Sequence, residues 1–208
     1  MRVLKENLMN AQQQPIEMKT SQPLIALYCG SRAGNKPIYQ QTAIELATTL
    51  ANKGFGAVYG GASIGLMGQV ADTVLEHGGE VVGVIPEFML DYEIAHKNLT
   101  ELHIVKSMHQ RKALMADRAS AFIALPGGLG TFEEILEIAT WAQLDQHQKP
   151  MILFNVNNYY QHLIAQMDHA VEEGFLPPHH REKIKICNTQ DEVLNALSIL
   201  SNHHTNGV

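Results

Sequence analysis

The stretch AFIALPGGLGTFEEILEIATWAQL, residues 121–144, decides the fold. An apolar run, Phe122–Leu125, stops at Pro126, three glycines follow within Gly127–Gly130, and from Phe132 to Leu144 the apolar positions return at helical spacing. A short apolar run closed by Pro-Gly reads as a buried strand, and the 3.6-residue period after it reads as a helix beginning at Thr131. The same unit recurs along the chain. Strands are predicted at Leu24–Cys29, Ala57–Tyr59, Val81–Ile85, Leu102–Val105, Met151–Phe154 and Ile184–Cys187. Helices are predicted at Ile38–Leu50 behind Pro37, Ile64–Leu75, Met108–Ala116, Tyr159–Val171 ended by Gly174, and Val193–Leu200. Parallel strands need crossover connections, and apolar strands need cover on both sides. The expected fold is therefore α/β and Rossmann-like, a mostly parallel sheet with helices on both faces. Ligands of such sheets bind beyond the carboxyl ends of the strands, so the strand-to-helix loops hold the chemistry.

The 208 residues suffice for one core, and 16 Gly with 8 Pro is ordinary usage, which excludes collagen-like and low-complexity classes. Residues 1–22 are polar and Gln-rich and are expected to form a loosely ordered extension, residues 23–200 a single Rossmann-like domain, and residues 201–208 a short tail. The net charge is −6 and no Lys/Arg run exceeds two residues, which argues against a nucleic acid polymer as partner. A small anion is not excluded, because a local cluster of N–H groups binds phosphate on an acidic protein too. Apolar stretches such as Ala121–Leu125 are far too short to span a bilayer, and the NLMNAQQQP segment lacks the apolar region of a secretory signal. With only Cys29 and Cys187, both in apolar surroundings, the reading is a cytoplasmic protein with reduced thiols and no membrane partner.

Gly127, Gly128 and Gly130 at a helix start form a turn able to hold phosphate on main-chain donors and the positive end of the helix dipole. They are equally an ordinary tight turn, and they match neither GxGxxG nor the P-loop. Glu134 stands three residues after Thr131, the spacing of a capping box, or else is a carboxylate set beside a bound sugar phosphate. YGGASIGLMG, residues 59–68, is a second glycine loop with Ser63 as candidate cap, and CGSRAG, residues 29–34, places Ser31 and Arg32 at the same edge. In SMHQRK, residues 107–112, Ser107 and Gln110 make another capping-box spacing. Arg111 there suits phosphate or carboxylate, with a solvated basic turn as the plain alternative. The adjacent His179–His180 and His203–His204 pairs lack metal-ligand spacing, so no metal is expected.

Together YCGSRAG, YGGASIGLMG, GVIPE, MHQRK, LPGGLGTFEE, TWAQL and VEEGF resemble the LOG (Lonely Guy) family of cytokinin riboside 5′-monophosphate phosphoribohydrolases, from about Leu24 to Leu200. Members have also carried the label lysine decarboxylase, but no residue here reads as a pyridoxal phosphate lysine. The resemblance implies hydrolysis of the N-glycosidic bond of a nucleoside 5′-monophosphate, AMP or N6-prenylated AMP, without a cofactor, in a homodimer or higher homo-oligomer assembled through the helices near MHQRK and PGGLGTFEE. It places the catalytic pair on Arg111 and Glu134. Its substrate contacts fall on Glu93, Lys112, Gly127, Gly128, Leu129, Gly130, Thr131, Phe132, Glu133 and Thr140. The chain departs from the family at Arg32, where many members have a second Ser, and at Ala62, where GGG is frequent; both bear on base preference. The rival class is a nucleotide-binding or sensing module of the same fold that turns nothing over.

Overall fold

The computed structural model describes residues 21–90 and 94–201. In chain order it contains β1 (Leu24–Tyr28), α1 (Pro37–Asn52), β2 (Gly56–Tyr59), α2 (Gly65–Glu76), β3 (Val81–Pro86), β4 (Glu101–Val105), α3 (Met108–Arg118) and β5 (Ala119–Ala124). Then come α4 (Leu129–Gln143), β6 (Met151–Phe154), α5 (Gln161–Glu172), α6 (Pro178–Arg181), β7 (Ile184–Cys187) and α7 (Gln190–Ser201). The strands form one sheet in the order β4-β3-β2-β1-β5-β6-β7, and every pairing is parallel. The chain starts at the centre, runs outward to β4, and returns to β5 on the other side of β1. That reversal sends the helices that follow β1 and β5 to opposite faces of the sheet, and the crevice lies at the carboxyl ends of the two strands.

Alternation along β1 shows how the sequence builds both faces. Ile25, Leu27 and Cys29 enter a core shared with α1, α2 and α7, while Leu24, Ala26 and Tyr28 enter the core under α3, α4 and α5. Each fully buried Leu, Ile or Phe contributes about 1.5–3 kcal/mol through the apolar area it removes from water. Burial on both faces fails at the edges of the sheet, where β4 leaves Leu102 and Ile104 exposed. Helix α1 starts with Pro37 at its first turn, and α5 closes with Gly174 at φ 78°, both as the sequence predicts.

Several boundaries differ from the sequence reading, three of them near the crevice or its supports. β5 begins at Ala119, directly after α3, because Ala119 already pairs with Leu24. α4 begins at Leu129 rather than Thr131. α5 begins at Gln161, because Asn157 and Asn158 adopt left-handed φ of 50° and 58° and hold residues 155–160 in a corner. Ser21 and Gln22, placed by sequence in the extension, are tied to Glu80 through their amides at 2.7 and 3.0 Å.

At the sheet edge opposite the crevice, Glu101 receives both guanidinium nitrogens of Arg118 at 3.1 and 3.2 Å and lies 2.8 Å from His103 Nε2. Burial alone would raise this carboxyl, but the bonds and charges of Arg118 and His103 prevail and hold it at about 2, against an ordinary 4.5. The folded-state value is the lower one, so the stabilisation is complete above pH 4.5 and is lost as pH falls through about 2. Glu101→Gln leaves the Arg118 charge buried without its carboxylate, which is expected to cost roughly 3 kcal/mol at pH 7. Urea midpoints measured from pH 7 to 2 should show the variant weaker at neutral pH and with a shallower acid limb; parallel limbs would contradict the assignment.

Candidate active site

The crevice is closed at its base by main-chain bonds between loops. Leu125 N–H donates to Tyr28 O at 2.9 Å, Gly30 N–H to Pro126 O at 3.1 Å, and Leu66 N–H to Gly30 O at 3.1 Å. The loops after β1, β2 and β5 therefore hold one another without side chains. A Cβ on Gly127 would lie 2.1 Å from Thr131 Oγ1, and one on Gly30 would lie 3.3 Å from Gly127 Cα, so this approach requires glycine.

Gly128 and Gly130 differ from Gly127. Neither has positive φ, and a Cβ on either would meet nothing within 4 Å. Neither packing nor backbone conformation asks for glycine there, and the space beside both residues is open. Gly128 is the N-cap of α4 and offers no side-chain cap, and the first intrahelical bond is Phe132 N–H to Gly128 O. The amides of Leu129, Gly130 and Thr131 thus precede the helical ladder at the positive end of the dipole.

This placement revises the reading of Glu134. With Gly128 at the cap, Thr131 is the third helical residue, buried at 3% exposure, and cannot cap through a box with Glu134. Glu134 is half-buried and faces a cleft of about 270 Å³ lined also by Cys29, Ser31, Met67, Met89, Met108, Arg111, Gly128–Thr131 and Glu133. Burial first, then the Glu134 carboxylate, pushes the Cys29 thiol and the Tyr28 hydroxyl well up, so both stay neutral near pH 7. Cys29 is no nucleophile in this setting.

Arg111 is not part of a solvated turn. It is 3% exposed, its Nη2 donates to Gly60 O at 3.0 Å, and its Nη1 lies 3.5 and 3.8 Å from the thioether sulfurs of Met89 and Met108. A Cβ on Gly60 would stand 1.9 Å from Nη2, which explains the first glycine of the β2–α2 loop. Helix α3 is aimed by its cap: Ser107 Oγ accepts from Gln110 N–H at 3.2 Å, while Gln110 Oε1 accepts from Lys106 N–H at 2.9 Å, one residue earlier than a standard box. Ser63 does not cap α2; its N–H and Oγ both donate to Ile94 O.

The other sequence candidates divide. Gly128, Leu129, Gly130, Thr131 and Glu133 line the cleft with Arg111 and Glu134. Lys112 instead bridges α3 to α4 through Glu133 and, at 3.0 Å, Glu137. Partial burial opposes its charge, but the two carboxylates outweigh this and hold the ammonium above its ordinary pKa. Phe132 packs on Tyr159 and Tyr160. Thr140 is exposed, donates to Leu136 O at 2.8 Å, and stands roughly 13 Å along the helix from Thr131. Glu93 lies outside the described residues, as do His203 and His204. Gly127 lines an adjoining chamber of about 350 Å³ with Arg32, Tyr39 and Tyr159; it meets the first chamber at Gly30, Ser31 and Gly128. Sequence reasoning missed the tyrosines: Tyr159 donates to Gly127 O, and Tyr160 to Leu125 O at 2.6 Å. A larger cavity of about 550 Å³ lies between the start of β6, β7 and α7, away from the glycine loops.

The glycines separate packing from ligand space. Gly127→Ala forces a clash with Thr131 and should lower the melting temperature, whereas Gly128→Ala and Gly130→Ala should leave it unchanged while weakening phosphate binding about tenfold or more. Thermal unfolding and phosphate titration of the three variants check this; destabilisation by Gly130→Ala would show that its space belongs to the fold.

Comparison with known proteins bears on the family and the fold. Residues 67–197 match the family described as "Possible lysine decarboxylase". A cytokinin riboside 5′-monophosphate phosphoribohydrolase of Arabidopsis thaliana is 47% identical over 182 residues, 88% of this chain and 85% of that protein. One from Rhodococcoides fascians is 46% identical over 174 residues, 83% of this chain and 88% of that protein. Among solved structures, the molybdenum cofactor binding protein of Rippkaea orientalis superposes with TM-score 0.66 at 18% identity, covering 88% of this chain and 99% of its own. A Moco carrier protein of Chlamydomonas reinhardtii gives 0.64 at 18% with the same coverage. Those structures share the fold, while identity this high to the phosphoribohydrolases over most of both lengths establishes more: the chain belongs to the LOG family.

Proposed function

We propose that this protein hydrolyses the N-glycosidic bond of a nucleoside 5′-monophosphate, AMP or an N6-prenylated AMP, releasing the free base and ribose 5-phosphate. The observation that carries the reading is that Glu134 and Arg111 line one cleft with the open glycine start of α4. The 5′-phosphate sits on the amides of residues 128–131, whose partial positive charge is fixed in advance. This brings the ribose beside Glu134. As the bond from C1′ to the base nitrogen breaks, positive charge grows on the sugar ring and the carboxylate stabilises it. Water adds its oxygen to C1′, and its proton accounts for the one gained by the leaving base. Arg111, held by Gly60 O, orients the substrate or assists the departing base.

The decarboxylase description attached to the family would ask for a neutral lysine amine to hold pyridoxal phosphate. No lysine is among the described residues lining the cleft, and Lys112 is kept as an ammonium by two carboxylates, so the residues present do not fit that group. A carrier or sensor reading draws on the fold neighbours' names alone; the Arg111–Glu134 pairing in one cleft favours catalysis. The two free, buried cysteines support placement in a reducing compartment such as the cytoplasm, and no helix among the described residues is long and apolar enough to cross a membrane. We further propose a homodimer through α3 and α4, supported by the exposure of Leu129 and Leu136 on α4. Light scattering at micromolar concentration should give at least twice the 23.0 kDa chain mass, and a monomeric value would contradict it.

Glu134 is the cleaner probe, since it is half-buried at the cleft, whereas replacing the buried Arg111 disturbs packing as well. Glu134→Gln should lower base release from AMP on the order of a hundredfold or more with an unchanged melting temperature. For the parent enzyme, adenosine should fall below AMP in kcat/KM by a similar factor. Full turnover by the variant, measured by chromatography of the free base, would remove the carboxylate from the mechanism.

A further inference from the structure

We propose that Tyr159 is a positioning residue for the phosphate end of the cleft: its hydroxyl fixes the peptide plane between Gly127 and Gly128 and so aims the Gly128 amide at the bound anion. The inference rests on the phosphate placement proposed above and adds a residue from a different loop. In a planar trans peptide the carbonyl and the following N–H point in opposite directions. The Gly127 carbonyl accepts from Tyr159, which lines the second chamber, so the Gly128 N–H is turned away from Tyr159, and Gly128 also lines the chamber holding Arg111 and Glu134. Glycine on both sides of this peptide gives the backbone the least intrinsic resistance to flipping, so an anchor outside the loop has something to prevent.

The corner that delivers the hydroxyl is costly and heavily braced. Asn157 and Asn158 are consecutive left-handed residues, a backbone that residues other than glycine rarely adopt, and such outliers persist where their surroundings over-determine them. Asn155 supplies that hold: its N–H donates to Cys187 O at 2.7 Å, its Oδ1 accepts from Tyr160 N–H at 2.8 Å, and its Nδ2 donates to Asn188 Oδ1 at 3.0 Å. The Tyr159 ring is gripped edge-on by Tyr39 at 5.7 Å and Tyr160 at 5.1 Å. The neighbouring Tyr160 donates to Leu125 O, two residues before Gly127, and is 1% exposed. The pair divides the work: Tyr160 secures the end of β5 in the core, and Tyr159 orients the glycine turn at the ligand.

Tyr159→Phe and Tyr160→Phe each remove one hydroxyl and keep the ring packing, so both variants are informative in the full chain. Calorimetry with ribose 5-phosphate reads the anion site without turnover, and base release from AMP and adenosine reads the reaction. Tyr159→Phe should weaken ribose 5-phosphate about tenfold and compress the AMP-to-adenosine ratio of kcat/KM about tenfold, with the melting temperature unchanged. Tyr160→Phe leaves a buried carbonyl without its donor and should lower the melting temperature while preserving the ratio. Parent-like affinity and ratio in Tyr159→Phe would overturn the proposal and leave the hydrolase reading intact. Loss of ribose 5-phosphate affinity in Tyr159→Phe without base release by the parent would support the positioning role and overturn the hydrolase. No ribose 5-phosphate binding by the parent would overturn both.

Discussion

The reversal of strand order at β1 and β5 is the constraint on which everything else depends. Because β1 is central and its neighbours leave in opposite directions, the loops after β1, β2 and β5 converge over one crevice and are pinned there by backbone bonds through Gly30 and Leu125. Backbone bonds of this kind ignore side-chain identity but tolerate little bulk. Hence the glycines at 30 and 127, where chains nearly touch, and the different glycines at 128 and 130, where the space is left for something else.

Charge around the crevice is divided among groups held neutral, a lysine joining two helices, and two groups that face the cleft. Burial and the Glu134 carboxylate keep the nearby Cys29 thiol, and Tyr28 and Tyr160 with it, neutral. Lys112 is committed to joining α3 and α4. The Glu134 carboxylate and the buried Arg111 guanidinium remain facing the cleft beside the start of α4. An anion at the helix terminus and a cationic sugar intermediate next to a carboxylate are the complement of that arrangement, which is why the proposed reaction suits it.

All seven strands were legible from short apolar runs, most of them closed by Gly or Pro, since a parallel sheet leaves its inner strands no choice of polarity. Helix starts were less legible. Thr131 looks like a cap by composition, yet Gly128 takes that place, because the side chain of Thr131 is spent filling the space over Gly127. Arg111 and Glu134 could be named from motifs, but not that the first is buried, since burial depends on Gly60, 51 residues away along the chain. Tyr159 and Tyr160 were invisible for a similar reason. Helical periodicity absorbed them into α5, and only the left-handed Asn157–Asn158 pair breaks that helix and turns them onto the glycine loop.

The central claim is that one cleft holds phosphate on the open turn of α4 while presenting the ribose to Glu134. A crystal structure of Glu134→Gln with AMP bound tests it most directly. The phosphate is expected on the amides of residues 128–131, with C1′ of the ribose facing the side chain of residue 134 and the guanidinium of Arg111 on the substrate. Phosphate seated instead in the chamber of Arg32 and Tyr39, with the ribose turned away from residue 134, would contradict it.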